Sequence, residues 1–357
     1  MGGASSYVRV LVTGGGGFLG GAIVRRLLAR GDEVRSFARG EYPELVKLGV
    51  DVHRGDLCEA EAVSTATRGC ERVFHVAGLP GVWGAYQDYY RTNVVGTQNV
   101  LAACHDHGVS RLVYTSTPSV VHAGGDIEGG DESLPYATVF SAHYPRTKAI
   151  AEKAVLEANS ESLRTVALRP HLIWGPGDNH LVPRILARGR RGRLRLIGRR
   201  SNLIDTVYID NAADAHVLAA DRLETRAPCA GKAYFISNGE PLPLAKITNG
   251  ILEAAGLPPV TRRIPAPLAY GLGALAEFIY GLLRIRNEPP MTRFLARQLS
   301  TAHWFEIGAA RRDLGYEPVV SIGEGLRRLR EALWKNQADL PGCLTTASGS
   351  CSWPPHS

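Results

Sequence analysis

The chain has 357 residues, of which 45% are hydrophobic, and a formal net charge of +7 at neutral pH. This length and apolar content are ample for one large α/β unit with a smaller lobe. The six cysteines have neither a CxxC pair nor zinc spacing, and residues 1–7 are no secretory signal, so we expect reduced thiols, no metal site and a cytoplasmic protein.

A glycine-rich turn lies between the first predicted strand and the first predicted helix. Residues 8–13 form an apolar, β-branched run of strand length, and residues 22–30 follow a helical pattern. Between them, Gly14, Gly17 and Gly20 let the backbone turn tightly and approach a pyrophosphate closely. The N-terminus of the next helix offers unpaired N–H groups to the phosphates. The order of these elements predicts a dinucleotide site.

The end of the second predicted strand bears on the choice of cofactor. Residues 33–39 form this strand, and Ala38 stands where a cofactor without a 2′-phosphate usually meets an acidic side chain. Arg39 follows, and a guanidinium near a hydroxyl, that of Ser36, suits a 2′-phosphate. We therefore predict a preference for NADP(H), while a solvated Arg39 would allow NAD(H) as well.

Further segments continue the alternation of strands and helices. Strand-type runs at residues 49–57, 71–78 and 111–117, and a helix that opens at 92–101, have the spacing of βαβ units. This alternation predicts a doubly wound parallel sheet, with ligand bound at the carboxyl ends of its strands.

Tyr144 and Lys148 form the one pair in the sequence in which a lysine follows a tyrosine by four residues. Residues 148–158 are strong helix formers, so the two side chains are expected to project side by side. A free phenol has a pKa of about 10, and a nearby ammonium lowers that value. The pair therefore predicts an acid–base device, with an ordinary surface contact as the alternative.

The segment that follows residue 170 is basic and polar and is expected to lie beside a substrate. Its side chains able to meet a carboxylate are His171, Asn179, His180, Arg184 and Arg188. Arginine is the best geometric match for a carboxylate, through its bidentate fork. A solvated helix face is the alternative, because Arg184 and Arg188 are four residues apart.

Two apolar segments are candidates for contact with a hydrophobic substrate. Trp83 and Tyr86 belong to an aromatic cluster that either walls a substrate or packs on the core. Residues 266–283 predict a buried helix that caps a substrate tunnel, with a membrane-surface helix as the alternative. Residues 324–334 predict a last amphipathic helix.

These segments together resemble the extended short-chain dehydrogenase/reductases, and within them the 3β-hydroxysteroid dehydrogenase-like branch. The motifs that carry the resemblance are Thr13–Gly20, Gly55–Leu57, His75–Gly78, Thr92–Thr97, Tyr114–Thr117, Tyr144–Lys148 and Leu168–Pro170. Residues 167–184 and 207–216 resemble the 2-alkyl-3-oxoalkanoate reductases of bacterial long-chain olefin biosynthesis and, less closely, the 4-carboxysterol 3-dehydrogenases.

The resemblance implies a role for each catalytic position. Tyr144 is the acid–base, and Lys148 holds the nicotinamide ribose and lowers the pKa of the tyrosine. Thr117 matches the catalytic Ser/Thr, with Ser116 as the alternative, and Asn93 has a supporting role. The predicted cofactor-binding residues are Gly14, Gly17, Phe18, Leu19, Gly20, Ser36, Arg39, Asp56, Leu57, Ala77, Gly78, Tyr144, Lys148 and Pro170. The predicted substrate contacts are His171, Arg184, Trp83 and Tyr86.

The implied fold is an α/β Rossmann fold, a doubly wound parallel sheet with a smaller, interleaved C-terminal substrate lobe. Residues 1–170 form the dinucleotide-binding domain, to which segments around 209–237 return. Residues 171–336 form the substrate lobe. Residues 337–357 have the composition of a disordered tail.

The implied activity is NADP(H)-dependent hydride transfer to or from C3 of a hydrophobic β-oxo or β-hydroxy acid. The alternatives are a 3β-hydroxysteroid or 4-carboxysterol 3-dehydrogenase using NAD, then a sugar-nucleotide epimerase or dehydratase, and a non-catalytic nucleotide sensor. We expect a hydrophobic acid substrate and a homodimer, and leave open contacts with a membrane surface and with other enzymes of its lipid pathway. The basic run at 188–195 lacks any accompanying nucleic-acid motif, so no nucleic acid is expected.

Overall fold

We describe the protein from a computed structural model, in which the described residues are 8–198, 202–224 and 227–338. The last helix runs to Ala338, so the first two residues of the predicted tail are helical. The rest of that tail, from 339 to 357, lies outside the described residues.

The strands and helices follow one another in the alternating order that the sequence predicts. The strands are β1 (Arg9–Thr13), β2 (Glu33–Ala38), β3 (Asp51–Arg54), β4 (Arg72–His75), β5 (Arg111–Thr115), β6 (Ile127–Gly130), β7 (Arg164–Pro170), β8 (Ile173–Trp174), β9 (Leu196–Ile197), β10 (Leu203–Ile204), β11 (Val207–Tyr208), β12 (Lys232–Ile236), β13 (Leu242–Pro243), β14 (Arg263–Ile264) and β15 (His303–Phe305). The α-helices are α1 (Phe18–Arg30), α2 (Pro43–Lys47), α3 (Ala60–Thr67), α4 (Tyr86–Tyr89), α5 (Gly96–Asp106), α6 (His143–Glu157), α7 (Leu181–Arg190), α8 (Ile209–Arg222), α9 (Leu244–Ala254), α10 (Ala266–Leu282), α11 (Arg293–Ser300) and α12 (Ile322–Ala338). Single turns of π-helix lie at Tyr90–Val95 and Ala310–Leu314, and a 3₁₀ turn lies at Pro118–Val120.

Seven parallel strands form the central sheet, in the order β3-β2-β1-β4-β5-β7-β12. Side chains of a strand alternate between the two faces. In β1, Val10 and Val12 pack in one core with Ile23 of α1, while Leu11 packs in a second core with Val63 of α3. Helices therefore cover both faces, and the predicted doubly wound Rossmann fold is confirmed.

The remaining strands form smaller sheets built mainly from the C-terminal half. A four-stranded sheet has the order β13-β10-β15-β6, and two further pairs are β8 with β11 and β9 with β14. The chain passes between the sheets more than once. β6 comes from the first half of the sequence, and β12 returns to the edge of the seven-stranded sheet beside β7.

Helix α10 is not buried as we predicted for residues 266–283. Ala269 and Gly273 are its buried residues, whereas Leu275, Phe278 and Leu282 are 55%, 68% and 70% exposed. The prediction of a buried helix over a substrate tunnel is therefore wrong. The apolar composition of the segment gave no indication of which face the rest of the fold would cover.

The turn from β1 into α1 depends on glycine at two positions. Gly14 has a φ of +73°, a conformation that favours glycine. A Cβ at Gly20 would lie 2.1 Å from the Gly14 carbonyl oxygen, so α1 packs directly on the turn that precedes it. This contact brings the N-terminus of α1 to the end of β1.

Gly20→Ala should therefore destabilise the protein by about 1–3 kcal/mol, because backbone must move to admit the methyl group. Gly271→Ala is the matched control, since Gly271 also lies within a helix but its added Cβ meets nothing within 4 Å. Thermal or urea unfolding of both variants measures the difference. A Gly20→Ala variant as stable as the Gly271→Ala variant would show that the close contact is not limiting.

Candidate active site

A cavity of about 620 Å³ lies where six strands of the central sheet end. Its wall is built from the residues at or after the carboxyl ends of β1, β2, β3, β4, β5 and β7. The predicted site residues that line it are Gly14, Gly17, Phe18, Leu19, Gly20, Arg39, Asp56, Leu57, Ala77, Gly78, Ser116, Thr117, Tyr144, Lys148 and Pro170. The structure thus places the predicted acid–base pair and the glycine-rich turn in one cavity.

The N-terminus of α1 is suited to hold a pyrophosphate. Its N-cap residue, Gly17, contributes no side-chain cap, and the first turn of the helix has no acidic residue. The N–H groups of that turn are thus neither capped by a side chain nor opposed by a negative charge, which is the condition for anion binding at a helix end.

The wall formed by the loop after β4 is held by Thr13. The Thr13 hydroxyl accepts hydrogen bonds from the backbone N–H groups of Val76 and Ala77, both at 3.1 Å, and lies 2.8 Å from Nδ1 of His75. Burial, with a contribution from Lys148, lowers the pKa of His75 to about 3, so its imidazole is neutral at physiological pH. His75 therefore acts as a packed hydrogen-bonding residue and carries no charge into the cavity.

Arg39 stands at the outer end of the cavity, next to the last residue of β2. Its side chain is exposed, and among the described residues its guanidinium has no hydrogen-bond or ion-pair partner. Asp56 lines the same end, where a hydrogen bond from the backbone N–H of Cys58 at 2.9 Å is the main cause of its lowered pKa. The charge of Arg39 also contributes to the lowered pKa of Asp56, and its exposed guanidinium can still bind an anionic group of a ligand.

Ser36 does not accompany Arg39 in the cavity, contrary to our prediction. Its side chain is fully buried beneath the glycine-rich turn, and a Cβ at Gly15 would lie 2.5 Å from the Ser36 hydroxyl oxygen. Successive side chains of a strand point to opposite faces of the sheet, and that of Ser36 lies on the face of β2 that is covered by α1.

Tyr144 lies in the first turn of α6 and lines the cavity beside Thr117. Burial raises the pKa of the Tyr144 phenol to about 12, although a hydrogen bond with the Thr117 side chain lowers it. The residue as a whole is half-buried and lines the cavity. The phenol is therefore protonated at neutral pH and is in the state required of a proton donor.

Lys148 lies one helical turn further along α6 and is 4% exposed. Its amine donates a hydrogen bond of 2.6 Å to the carbonyl of Thr115 and lies 4.1 Å from the ring centroid of Tyr114. Burial lowers the pKa of Lys148 to about 7, and the Glu152 carboxylate opposes this shift. The expectation that Lys148 lowers the pKa of Tyr144 is wrong for this structure, where desolvation dominates the phenol.

An ion pair behind Lys148 is almost completely buried. Arg169 donates to Glu152 at 2.6 Å, and the hydroxyl of Tyr136 donates to the same carboxylate at 2.7 Å. Their exposed fractions are 0% for Glu152 and 3% for Arg169. Glu152 is one turn beyond Lys148 and does not line the cavity. This network therefore places a negative charge on the side of the lysine that faces away from the cavity.

Three further predicted polar residues differ in their positions. Ser116 lines the cavity, and its buried hydroxyl has no hydrogen-bond partner. Thr117 accepts a hydrogen bond from the backbone N–H of Ser119 at 3.3 Å. Asn93 is buried outside the cavity lining and joins the backbone of Leu79 to Thr147 on α6. Asn93 therefore fixes the loop that carries Gly78, and both hydroxyls remain candidates for contact with a substrate oxygen.

The structure does not bring His171 or Arg184 to the cavity. His171 is 6% exposed, and its Nδ1 pairs with the carboxylate of Asp205, whose negative charge would repel a substrate carboxylate. Arg184 forms an ion pair with Glu288 at 2.7 Å on the surface. Both predicted carboxylate ligands already have acidic partners within the protein, which sequence spacing alone does not reveal.

Trp83 and Tyr86 also lie outside the cavity lining. The indole N–H of Trp83 donates to the carbonyl of Ile285 at 3.1 Å, and its ring packs edge-on against Tyr280 of α10. The ring of Tyr86 lies 5.5 Å from that of His143 at the start of α6. Both side chains are half-buried and join neighbouring elements to one another, so they neither line the cavity nor belong to a core cluster.

The cavity has walls that our sequence analysis did not identify. Tyr42 covers the glycine-rich turn so closely that a Cβ at Gly16 would lie 2.2 Å from its ring. Leu172 has a φ of +42°, a strained conformation for a residue with a side chain. Pro80, Ile173 and Asp178 also line this region and were not predicted, whereas Asn179 and His180, which line it too, were carboxylate candidates. No motif contains Tyr42, and only the fold brings it to the turn.

The pH dependence of stability tests the burial of Lys148. Its pKa falls from 10.5 in the unfolded chain to about 7 in the folded protein, so between these values the unfolded chain holds more protons and stability rises with pH. Lys148→Met should remove this contribution. The variant should therefore gain unfolding free energy over wild type at about pH 6.5, and the gain should shrink towards about pH 9.5.

Lys153→Met is the matched control for this comparison, because Lys153 is an exposed lysine on the same helix. Its unfolding free energy relative to wild type should not change with pH in this window. A gain from Lys148→Met that is equal at both pH values would show that the lysine has an ordinary pKa.

The chain is similar to a known protein family and to several characterised relatives over most of its length. Residues 11–266 match the model described as the 3-beta hydroxysteroid dehydrogenase/isomerase family. The 2-alkyl-3-oxoalkanoate reductase of Stenotrophomonas maltophilia (strain K279a) is 57% identical over 325 residues, which cover 90% of this chain and 98% of that protein. The decarboxylating sterol-4-alpha-carboxylate 3-dehydrogenase of Mus musculus is 35% identical over 334 residues, which cover 91% of this chain and 90% of that protein.

Solved structures share the fold of this chain. The crystal structure of the Thermus thermophilus UDP-glucose 4-epimerase in complex with NAD matches with a TM-score of 0.70 and 26% identity. The match covers 92% of this chain and 99% of that one.

Proposed function

Because the chain belongs to the 3-beta hydroxysteroid dehydrogenase/isomerase family, oxidoreductases of the extended short-chain dehydrogenase/reductase type, we propose that it reduces the C3 carbonyl of hydrophobic 2-alkyl-3-oxo acids with NADPH. The observation that carries the proposal is the presence of Tyr144, Lys148 and the glycine-rich turn in one cavity. The similarity to a 2-alkyl-3-oxoalkanoate reductase over 98% of its length supports this substrate class.

Tyr144 is the proton donor of the proposed reaction. Its phenol is protonated at neutral pH, so it can donate a proton to the alkoxide oxygen that develops at C3. Thr117, which hydrogen-bonds the phenol, orients that oxygen from the same side. Ser116 is the alternative for this role, because its hydroxyl lines the cavity without a partner. The product is the 2-alkyl-3-hydroxy acid.

A nicotinamide dinucleotide fits the rest of the cavity and supplies the hydride when it is bound. The uncapped N-terminus of α1 and the turn that begins at Gly14 hold the pyrophosphate. Lys148 lies within the wall next to Gly78, with its amine 3.9 Å from the position that a Cβ of Gly78 would occupy. Lys148 binds the ribose hydroxyls from there. Arg39 binds the 2′-phosphate of NADP(H) with its unpaired guanidinium.

The substrate acid occupies the part of the cavity formed by residues 172–180. Leu172 and Ile173 offer an apolar wall for the alkyl chains, and Asn179 and His180 offer polar groups for the carboxylate. We assign the carboxylate to these two residues, because His171 and Arg184 are already paired with acidic side chains. The Asp178 carboxylate of this region is itself bound by the backbone N–H groups of His180, Leu181 and Val182.

A 4-carboxysterol 3-dehydrogenase that uses NAD is the second candidate function. The 35% identity with the mouse sterol-4-alpha-carboxylate 3-dehydrogenase favours it. Incubating the protein with NADPH and long-chain 2-alkyl-3-oxo acids, and in parallel with NAD and 4-carboxysterols, separates the two. Faster turnover of the 4-carboxysterol with NAD than of the 2-alkyl-3-oxo acid with NADPH would show that the second candidate function is the correct one.

Tyr144→Phe tests the acid–base assignment. Removal of the hydroxyl should lower kcat by about 100-fold or more, because a positioned general acid contributes about 10²- to 10⁴-fold to the rate. Affinity for NADPH, measured by fluorescence titration, should change little. Tyr270→Phe, on α10 and outside the cavity lining, is the control and should retain wild-type kcat. Turnover by Tyr144→Phe near the wild-type rate would exclude the mechanism.

Arg39→Ala tests the preference for NADP(H). Loss of charge-assisted hydrogen bonds to a 2′-phosphate should lower kcat/KM for NADPH by about 10- to 100-fold and leave that for NADH nearly unchanged. Arg25→Ala controls for overall charge, because Arg25 is an exposed arginine that does not line the cavity. Equal losses with both cofactors would mean that Arg39 does not contact the 2′ position.

A further inference from the structure

Leu172 has a backbone conformation that leucine rarely adopts, and it lies in the wall of the catalytic cavity. Its φ of +42° belongs to the left-handed region that favours glycine. Its side chain is half-buried and lines the cavity. Strained residues of this kind persist only where the surrounding contacts determine them, and they are concentrated at functional sites. A leucine in place of glycine at this position indicates that its side chain has a use in the cavity.

Hydrogen bonds fix the backbone on both sides of Leu172. Before it, the N–H of His171 donates to the carbonyl of Ile236 in β12 at 3.1 Å. After it, the carbonyl of Leu172 accepts from the N–H of Val207 in β11 at 3.4 Å, and β8 pairs with β11 from Ile173 onwards. Leu172 is therefore the residue at which the chain turns from β7 into β8 between two fixed ends.

The pair formed by Asp205 and His171 fixes the same turn through side chains. One carboxylate oxygen of Asp205 lies against Nδ1 of His171, and the other accepts from the backbone N–H of Phe305 at 3.0 Å. The His171 and Asp205 side chains are 7% and 1% exposed. The imidazole of His171 also packs edge-on against the rings of His303 and Phe305, with centroid distances of 4.9 and 5.7 Å. Because a buried charged group that loses its partner is costly, this pair resists movement of the residue that follows it.

Leu172 lies beside the hydroxyls that contact the substrate oxygen in the proposed reaction. Strands β5 and β7 are neighbours in the sheet, and the N–H of Ser116 donates to the carbonyl of Leu168 at 2.6 Å. Thr117 is two residues beyond the end of β5, and Leu172 is two residues beyond the end of β7. The loops that carry these two residues therefore leave the sheet side by side.

The loop of Leu172 continues to the residues assigned to the substrate carboxylate, Asn179 and His180. In a 2-alkyl-3-oxo acid, C2 lies between the reacting C3 carbonyl and the carboxylate. The alkyl branch on C2 is therefore the substrate group that is nearest to both of these polar groups. An apolar side chain beside the catalytic hydroxyls and in the carboxylate loop is suited to contact this branch.

We propose that Leu172 selects substrates that carry an alkyl branch at C2, and that Asp205 is a positioning residue that holds Leu172 in the cavity through His171. The inference rests on the proposed function, because it assigns one part of the same cavity. An apolar contact that is equal in the bound substrate and in the transition state changes KM and leaves kcat unchanged. Loss of the leucine therefore weakens the preference for the branched acid without slowing the chemical step.

Steady-state kinetics with NADPH compare a 2-alkyl-3-oxo acid with the 3-oxo acid of the same main chain that lacks the branch. Leu172→Ala should raise KM for the branched acid by about tenfold, because most of the apolar contact is lost. KM for the unbranched acid should change by less than about twofold, and kcat should be retained with both acids.

Leu28→Ala is the matched control for this comparison. Leu28 is also half-buried and packs against the same core cluster as Leu172, but it lies near the end of α1 and outside the cavity lining. This variant should leave KM for both acids unchanged. The role of Leu172 in specificity is overturned if Leu172→Ala raises KM equally for both acids, or for neither.

Thermal unfolding of Leu172→Gly and Leu172→Ala tests the strained conformation without any substrate. Glycine adopts a positive φ without strain, so Leu172→Gly should have the higher unfolding midpoint of the two. In an unstrained position, glycine would give the lower midpoint because it has more freedom in the unfolded chain. A lower midpoint for Leu172→Gly would therefore overturn the inference that the fold holds Leu172 in this conformation.

Asp205→Asn and His171→Leu test the positioning role. A neutral amide binds the imidazole more weakly than a carboxylate does, so Asp205→Asn should raise KM for the branched acid by about two- to fivefold and retain kcat. His171→Leu removes the contact and should raise this KM about as far as Leu172→Ala does. If His171→Leu does not fold, Asp205→Asn alone decides, and an unchanged KM in that variant overturns the positioning role.

Two other outcomes have different meanings. A fall in kcat with both acids and an unchanged KM, in Asp205→Asn or His171→Leu, would place the pair in the chemical step and overturn its role in positioning. Wild-type protein that turns over neither acid would refute the proposed function and this assignment with it. Wild-type turnover combined with an unaltered branch preference in Leu172→Ala would refute this inference alone.

Discussion

The burial of one ammonium group organises the site. Lys148 places its charge against the end of β5 through the Thr115 carbonyl, and this contact attaches α6 to the sheet at the point where the cavity opens. Tyr144, one turn earlier, is thereby fixed over the cavity. Desolvation would favour loss of the proton from the amine, and the Glu152 carboxylate on the protein side opposes that loss. The buried pair of Glu152 with Arg169 is thus part of the electrostatics of the site as well as of the core.

The contacts between the two sheets explain why a residue predicted to bind substrate does not reach the cavity. His171 follows the last residue of β7, and it turns to pair with Asp205, which follows β10. The second oxygen of Asp205 accepts from the backbone N–H of Phe305 at 3.0 Å. This group of contacts joins the end of the seven-stranded sheet to the four-stranded sheet. His171 was expected to bind the substrate, but it pairs with an acidic residue of the protein and does not line the cavity.

Local constraints made the cofactor side of the cavity predictable. Gly14 and Gly20 are required by a positive φ and by a contact of backbone with backbone, and both requirements involve residues close in sequence. Tyr144 and Lys148 share a helix face because they are four residues apart. The substrate side was not predictable in this way, because it depends on which loops the C-terminal lobe brings to the cavity. The strained Leu172 lines this side, and Tyr42 and Pro80 line other parts of the cavity; none of the three belongs to a helix-face or glycine pattern.

The sequence by itself determined the order of strands and helices, the doubly wound sheet and the residues of the glycine-rich turn, since each follows from periodicity or from a steric limit on neighbouring residues. The tertiary structure alone decided the protonation of the site and the partners of its charged side chains. Burial raised the pKa of Tyr144 where a neighbouring cation was expected to lower it, and acidic residues far along the chain paired with His171 and Arg184. The tertiary structure also decided that α10 exposes apolar side chains such as Leu275, Phe278 and Leu282. Desolvation and charge pairing depend on distances in space, which the spacing of residues in a sequence does not determine.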